Sequence, residues 1–136
     1  MRFENTILPD ELQRFLSSFV EVFAQTREIW LFGSRVDGTA RPDSDWDLIV
    51  LGEGLTPEAV RPFETFRSEL YPLFIGNVRA DEAWRPWPRQ KDGLLERIQF
   101  STWRWKQNGH EASYESTKKG RPTSTRRAVR VWLRTD

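Results

Sequence analysis

Two short apolar segments, separated by a turn-rich stretch, constrain the fold more than any other feature of this 136-residue chain. Residues 28–32 form a mostly apolar run that ends at Gly33, and residues 47–51 form a second run that ends at Gly52. Runs of about five apolar residues bounded by glycine are typical of buried strands. Joined by the stretch 36–42, they predict two neighbouring strands with polar groups gathered at one end of a sheet.

The surrounding sequence predicts helices packed on this sheet. Apolar residues at helical spacing predict a helix over 9–25, and Thr56 followed by Pro57 predicts the start of a second one, which continues over 63–71. The elements expected after it are a strand over 73–78, a loop over 84–88, a helix around 94–100 and a short strand over 103–105. This order predicts an α+β fold, a small mixed β-sheet flanked by helices.

The charge distribution divides the chain. Residues 1–103 carry 12 Lys and Arg against 17 Asp and Glu, whereas residues 104–136 carry 9 against 3. Residues 106–127 also contain few large apolar side chains, and such a segment buries too little apolar surface to order itself. The sequence therefore predicts a domain over 1–105 and a basic, flexible tail over 106–136. A solvated extension is the simpler interpretation of this tail, and a basic arm that contacts a partner is the alternative.

Composition excludes several kinds of site. The chain has no Cys and one His, His110, which rules out thiol chemistry and both cysteine and histidine-cluster metal sites. Any metal must then be held by carboxylates, which favours Mg²⁺ or Mn²⁺. A net charge of +1 argues against a nucleic-acid partner or a membrane surface. Because no long apolar run is present, we expect a cytoplasmic protein.

The turn after the first strand has the pattern of a phosphate site. Gly33 allows close approach to the backbone, and a helix that begins at Ser34 would direct free N–H groups at one point. The Ser34 hydroxyl adds a further donor. The alternative is an ordinary strand-to-helix turn. Arg35 has two open interpretations, a contact with phosphate or an ion pair with Asp37.

Asp45 and Asp47 precede the second strand directly. Residues two apart on a strand share a face, so both carboxylates would point the same way. Their repulsion is relieved by a cation, and Mg²⁺ suits two carboxylates because it takes waters and phosphate oxygens as its other ligands. The alternative is one acid in a turn and one solvated acid. The apolar residues that follow immediately favour the shared face.

Together these features resemble the signature of the DNA polymerase beta-type nucleotidyltransferase superfamily. That signature is an apolar strand, Gly-Ser usually followed by Arg, a later Gly, and then Ser-Asp-x-Asp before another apolar strand. In this chain it reads Leu31-Phe32-Gly33-Ser34-Arg35, then Gly38, then Ser44-Asp45-Trp46-Asp47-Leu48. Within the superfamily the chain is similar to the minimal nucleotidyltransferases of bacteria and archaea, the antitoxin-type partners of HEPN-domain proteins. The order of elements fits out to about residue 103.

The resemblance implies a function and a set of site residues. Gly33 and Ser34 would hold the triphosphate of ATP or another nucleoside triphosphate, with Arg35 and Ser44 as further nucleotide-binding residues. Asp45 and Asp47 would be the catalytic, metal-binding acids. The reaction would transfer a nucleoside monophosphate to a hydroxyl group, either on a HEPN-type partner protein or on a small molecule.

One expected residue is missing from the pattern. Active members of the superfamily usually carry a third acid on a later strand, and the alignment places Gly76 there, with Asp81 and Glu82 beyond the strand as candidates for a displaced acid. Without a third acid the attacking hydroxyl lacks its base. The sequence therefore predicts nucleotide binding with slow or absent transfer by the isolated chain, and a non-catalytic nucleotide- or partner-binding module is the alternative function.

Overall fold

The computed structural model describes residues 2–3, 8–63, 71–88, 92–116 and 124–135. Within them the helices are α1 (Asp10–Val22), α2 (Ser34–Asp37) and α3 (Pro57–Val60). The strands are β1 (Arg2–Phe3), β2 (Thr26–Phe32), β3 (Asp47–Gly52), β4 (Leu73–Asn77), β5 (Glu82–Trp84), β6 (Arg97–Gln99), β7 (Lys106–Asn108), β8 (Glu111–Ser116) and β9 (Ser124–Leu133).

All these strands belong to one mixed sheet. Its order is β6-β5-β4-β3-β2-β9-β8-β7, and β1 also pairs with β9. The neighbours β3 and β4 are parallel, whereas every other described pair is antiparallel. The predicted α+β class, a mixed sheet with helices, is confirmed. None of the helices among the described residues is long and apolar enough to cross a membrane.

The first helix forms where the apolar spacing predicts it. Leu12, Leu16 and Phe19 of α1 are fully buried, and they recur every three or four residues along one face of the helix. Asp10 and Glu11 lie in its first turn, where negative charge is favourable. This face packs on β2 and β3 and fixes one side of the sheet.

The sheet is buried on both faces, which explains why its central strands are continuous apolar runs. Leu48 and Val50 of β3 belong to the core under α1, whereas Ile49 and Leu51 belong to a second core on the opposite face. Residues 100–105 cover part of that second core. The two cores together hold the ends of β2 and β3 in a fixed position.

The prediction of a flexible tail over 106–136 needs correction. The described part of this stretch forms β7, β8 and β9, and β9 lies inside the sheet between β2 and β8. Val131 and Trp132 are buried, while Arg130 on the same strand pairs with Glu28 of β2 at 3.2 Å. The average composition is polar because the segment 106–127 dominates it, whereas the buried residues of β9 follow that segment and belong to the two cores: Ala128, Val129, Val131 and Trp132.

The region before β7 also differs from the prediction. The expected helix around 94–100 is the strand β6, because Ile98 is buried opposite Ala83 of β5. The expected strand over 103–105 is instead a turn that leads into β7. Trp84, expected in a loop, belongs to β5. Leu94 and Leu95 gave the helical spacing, but both are exposed, so this spacing does not mark a buried face.

The second predicted helix is confirmed at its beginning. The Thr56 hydroxyl accepts a hydrogen bond from the Ala59 backbone N–H at 3.2 Å, and Pro57 is the first residue of α3. Of the predicted continuation over 63–71, residues 64–70 lie outside the described residues.

Candidate functional site

The ends of β2 and β3 bring the predicted phosphate turn against the predicted metal-binding acids. Phe32, the last residue of β2, lies opposite Asp47, the first residue of β3. Gly33 follows with φ 81° and ψ −156°, and α2 begins at Ser34. Because the two strands are antiparallel neighbours, the turn and the Asp47 carboxylate share one end of the sheet.

Gly33 packs directly on the Asp47 side chain. A Cβ atom added at Gly33 would overlap the Oδ2 atom of that carboxylate. The backbone conformation of Gly33 is also one that residues with a side chain rarely adopt. The signature glycine therefore allows the acid and the turn to lie in contact.

This packing predicts the cost of a methyl group. Gly33→Ala should lower the free energy of unfolding by about 1–3 kcal/mol through backbone strain alone, and the overlap with Asp47 adds to that loss. The matched control is Gly38→Ala, since Gly38 also has a positive φ but has nothing within 4 Å of an added Cβ. Urea denaturation measures both variants. A smaller loss for Gly33→Ala than for Gly38→Ala would contradict the close packing.

The Asp47 carboxylate is strongly perturbed. Its pKa is raised from 3.8 to about 6. Burial is the largest cause of the raised pKa, the charges of Asp45 and Glu96 add to it, and those of Arg126 and Arg85 oppose it. Asp45 is exposed in the loop before β3. The two acids thus lie close enough to repel each other, and a cation between them would relieve that repulsion.

Arg35 contacts the loop that carries the acids. Its Nη2 atom donates to the backbone carbonyls of Ser44 at 2.7 Å and Pro42 at 3.2 Å. Its guanidinium lies 4.4 Å from the centre of the Trp46 ring. The predicted ion pair of Arg35 with Asp37 is not formed, because Asp37 pairs with Arg126, and Arg35 holds the loop over 42–46 against α2. Its predicted contact with phosphate stays a prediction.

Ser44 takes part in the same loop. Its hydroxyl accepts a hydrogen bond from the Arg41 backbone N–H at 2.7 Å, and its own N–H donates to the Arg41 carbonyl at 3.0 Å. The side chain therefore closes a turn in front of the acids. Its predicted role in nucleotide binding stays a prediction.

The structure adds two residues to this end of the sheet, Tyr114 of β8 and Arg126 of β9. The Gly33 N–H donates to the Tyr114 hydroxyl at 3.2 Å. The Arg126 side chain forms an ion pair with Asp37, the last residue of α2. Sequence reasoning missed both because they lie in the stretch predicted as a tail. For Arg126 the available signal was the mostly apolar run over 128–133, which favours a strand close to it.

The parallel pairing of β3 with β4 changes the expected position of the third acid. Gly76 lies beside Leu51, four residues along β3 from Asp47. The residues nearest the acids on this side are Pro72, directly before β4, whose carbonyl accepts from the Leu48 N–H at 2.9 Å, and Leu73, the first residue of β4, which lies beside Leu48. The sequence alignment was therefore out of register by several residues.

Asp81 and Glu82 lie toward the other end of β4. Glu82 pairs with Asn77, and it lines a cavity of about 470 Å³ together with Gly52, the last residue of β3. Asp81 accepts hydrogen bonds from the Ser101 hydroxyl and backbone N–H, which lower its pKa. Neither acid is placed to complete a site with Asp47.

The comparison with family models decides the family. The model of the nucleotidyltransferase domain matches residues 10–112, which include the turn at Gly33 and both acids. The chain belongs to the nucleotidyltransferase domain family. Comparison with curated proteins gives no match, and comparison with solved structures gives none either.

The acids of this nucleotidyltransferase domain suit Mg²⁺ in part. Within the described residues, no group of three or more His, Asp or Glu side chains is arranged to hold a metal ion. Two carboxylates are nevertheless enough for Mg²⁺ that also binds substrate phosphates. Burial is the largest cause of the raised pKa of Asp47 and the charge of Asp45 adds to it, so a cation held by both carboxylates would favour their ionised forms.

A further carboxylate lies near these acids. Glu96 precedes β6, and its charge raises the pKa of Asp47. Its Oε1 atom lies 3.5 Å from Nη1 of Arg85, and its backbone carbonyl accepts from the Arg85 N–H at 3.0 Å. The nucleotidyltransferase domain therefore carries an acid just before β6 that the sequence pattern did not predict as part of the site.

Proposed function

We propose that the chain is a nucleotidyltransferase that binds ATP, or another nucleoside triphosphate, with Mg²⁺ or Mn²⁺. The contact between Gly33 and the Asp47 carboxylate, at the paired ends of β2 and β3, carries this proposal. It brings a turn suited to phosphate against acids suited to a divalent cation. The family assignment gives the reaction class, transfer of a nucleotidyl group.

Each residue has a defined task in this proposal. The backbone N–H groups after Gly33 and the Ser34 hydroxyl bind phosphate oxygens. Asp45 and Asp47 would hold the divalent ion, whose chemistry would be to neutralise charge on the phosphates. A bond forms between the acceptor oxygen and the α-phosphorus, and the bond from that phosphorus to pyrophosphate breaks. The acceptor hydroxyl gives its proton to a base, and Glu96 is the carboxylate we assign to that task.

Calorimetric titration with each of the four nucleoside triphosphates, with Mg²⁺ and with EDTA, tests the binding step. We expect binding that requires Mg²⁺ and that weakens by at least about 10-fold in Asp45→Asn, because a metal ligand is lost. Asp45 is exposed, so this variant should fold normally. The matched control is Asp43→Asn, another exposed acid of the same loop. If the wild type bound the nucleotide equally well with EDTA and with Mg²⁺, the metal site would be refuted.

A nucleotide-binding module without catalysis is the second candidate function. The observation that favours it is Pro72, directly before β4, whose carbonyl accepts from the N–H of Leu48 next to Asp47, so that a residue without a carboxylate lies at this position. Pyrophosphate release from MgATP distinguishes the two functions. Release that stops in Glu96→Gln supports the enzyme, whereas tight MgATP binding without release under any acceptor supports the module.

The acceptor we propose is a hydroxyl group on a HEPN-type partner protein, as in a toxin–antitoxin pair. The resemblance to minimal nucleotidyltransferases supports this choice. Incubation of the chain and such a partner with α-labelled ATP should label the partner, and Asp45→Asn should prevent the labelling. If the label were found only on small molecules, the proposal of a protein acceptor would be wrong.

A further inference from the structure

The end of the sheet that carries the acids also carries a cation from the last strand. Tyr114 of β8 lies directly opposite Arg126 of β9, and the Arg126 guanidinium is 5.9 Å from the centre of the tyrosine ring. The Tyr114 hydroxyl in turn accepts from the Gly33 N–H. Arg126 is thus connected to the phosphate turn through a neighbouring side chain.

Asp37 fixes the orientation of this arginine. The Nε and Nη2 atoms of Arg126 both donate to Oδ2 of Asp37, with 2.9 Å from Nε. Nη1 has no protein partner among the described residues, and the Arg126 side chain is 23% exposed. Two nitrogens are therefore used for positioning, which leaves the hydrogens of Nη1 for a further acceptor.

Charge gives a reason for a cation here. The site gathers Asp37, Asp45 and Asp47, and a triphosphate brings further negative charge. Arg35 donates to backbone carbonyls of its own loop. Arg126, in contrast, interacts with the acids, because its positive charge lowers the pKa of Asp47. A positive group next to the turn at Gly33 would offset this negative charge, and Asp37 and Tyr114 hold Arg126 next to that turn.

We propose that Arg126 binds the β- or γ-phosphate of the bound nucleoside triphosphate, with Asp37 as its positioning residue. This inference rests on the proposed function and names a residue beyond the part matched by the family model, which ends at residue 112. A guanidinium binds carboxylate and phosphate through different nitrogens at once. In transfer, it would neutralise charge on the departing pyrophosphate.

The test compares MgATP, Mg-tripolyphosphate and AMP as ligands for the full chain. Arg126→Gln should weaken binding of MgATP and Mg-tripolyphosphate by about 10–100-fold, the effect of one charged hydrogen bond. Its affinity for AMP, which lacks the β- and γ-phosphates, should change little. The control is Arg127→Gln, because Arg127 is exposed on the next position of β9 and pairs with Glu111. It should bind all three ligands as the wild type does.

Further variants keep the inference testable. If Arg126→Gln disturbs folding because Asp37 loses its partner, the double variant Asp37→Asn/Arg126→Gln removes both charges and should show the same selective loss. Unchanged MgATP affinity in these variants, or an equal loss for AMP, would overturn the role of Arg126 alone. A wild-type chain that binds neither MgATP nor Mg-tripolyphosphate would overturn the proposed function as well.

Discussion

Asp47→Asn is expected to abolish magnesium-dependent nucleotide binding and, at the same time, to make the protein more stable at pH 8. The carboxylate is half-buried at the start of β3, and its pKa is raised to about 6. Its negative charge is therefore disfavoured in the folded state. An amide of nearly the same shape removes this unfavourable charge, but it also removes a ligand of the divalent ion.

The sign of the pH dependence follows from the raised pKa. Between pH 3.8 and about 6, the folded protein keeps a proton on Asp47 that the unfolded chain has lost. The wild type therefore loses stability as the pH rises through this range, and Asp47→Asn does not. A pKa difference of this size corresponds to about 3 kcal/mol as an upper limit. Partial exposure reduces it, so we expect a gain of roughly 1–2 kcal/mol at pH 8 and almost none at pH 4.

Two measurements on the same samples test this expectation. Urea denaturation at pH 4 and pH 8 gives the stability, and calorimetry with MgATP gives the affinity, which should fall by about 100-fold or more for the loss of several kcal/mol. Asp43→Asn serves as the control for a change of net charge. A loss of stability at pH 8 in Asp47→Asn would show that the carboxylate is stabilising, contrary to the electrostatics described above.

Removal of residues 106–136 is expected to unfold the whole chain. This cut follows the division that composition suggests, but it removes β9 from between β2 and β8. It also deletes the buried Trp132 and exposes Trp30, which is fully buried. A domain has about 5–15 kcal/mol of stability in total. The stabilisation lost with the β2–β9 pairing and with part of both cores exceeds this free energy, so the truncated chain should not fold.

Circular dichroism and two-dimensional NMR would show the outcome for the chain that ends at residue 105. A milder variant gives a graded test, since Trp132→Ala should cost about 3–5 kcal/mol. Leu94→Ala is its control, because Leu94 is 63% exposed and should change stability by less than about 0.5 kcal/mol. A dispersed, native-like spectrum for the truncated chain would mean that β9 is an accessory strand.

The central part of the fold was predictable because its signals are local. Continuous apolar runs gave β2 and β3, and helical spacing gave α1. The contact between the turn at Gly33 and Asp47 followed from the order of strand, turn and strand. Each of these signals depends on residues close in sequence, and tertiary contacts did not override them.

The remaining elements depend on partners distant in sequence. Strand β6 exists because Ile98 packs opposite Ala83 in a ladder, and spacing within 94–100 carries no information about that partner. For β9, the polar average over 106–136 concealed the apolar residues Val129, Val131 and Trp132, which are buried because β9 lies between β2 and β8. The alignment that placed Gly76 at the position of the third acid was wrong for a similar reason. Only the pairing of β3 with β4 determines which residue lies near Asp47.

The position of β9 has a consequence for the order of events during synthesis. Gly33 and Tyr114 are 81 positions apart, and Asp37 and Arg126 are 89 apart, yet all four meet at one end of the sheet. Contacts so distant in sequence form late, because a long loop must close first. A nascent polypeptide therefore has its signature motif long before it has a working pocket. Until β9 leaves the ribosome, the edge of β2 that it covers stays open to chaperones and to aggregation.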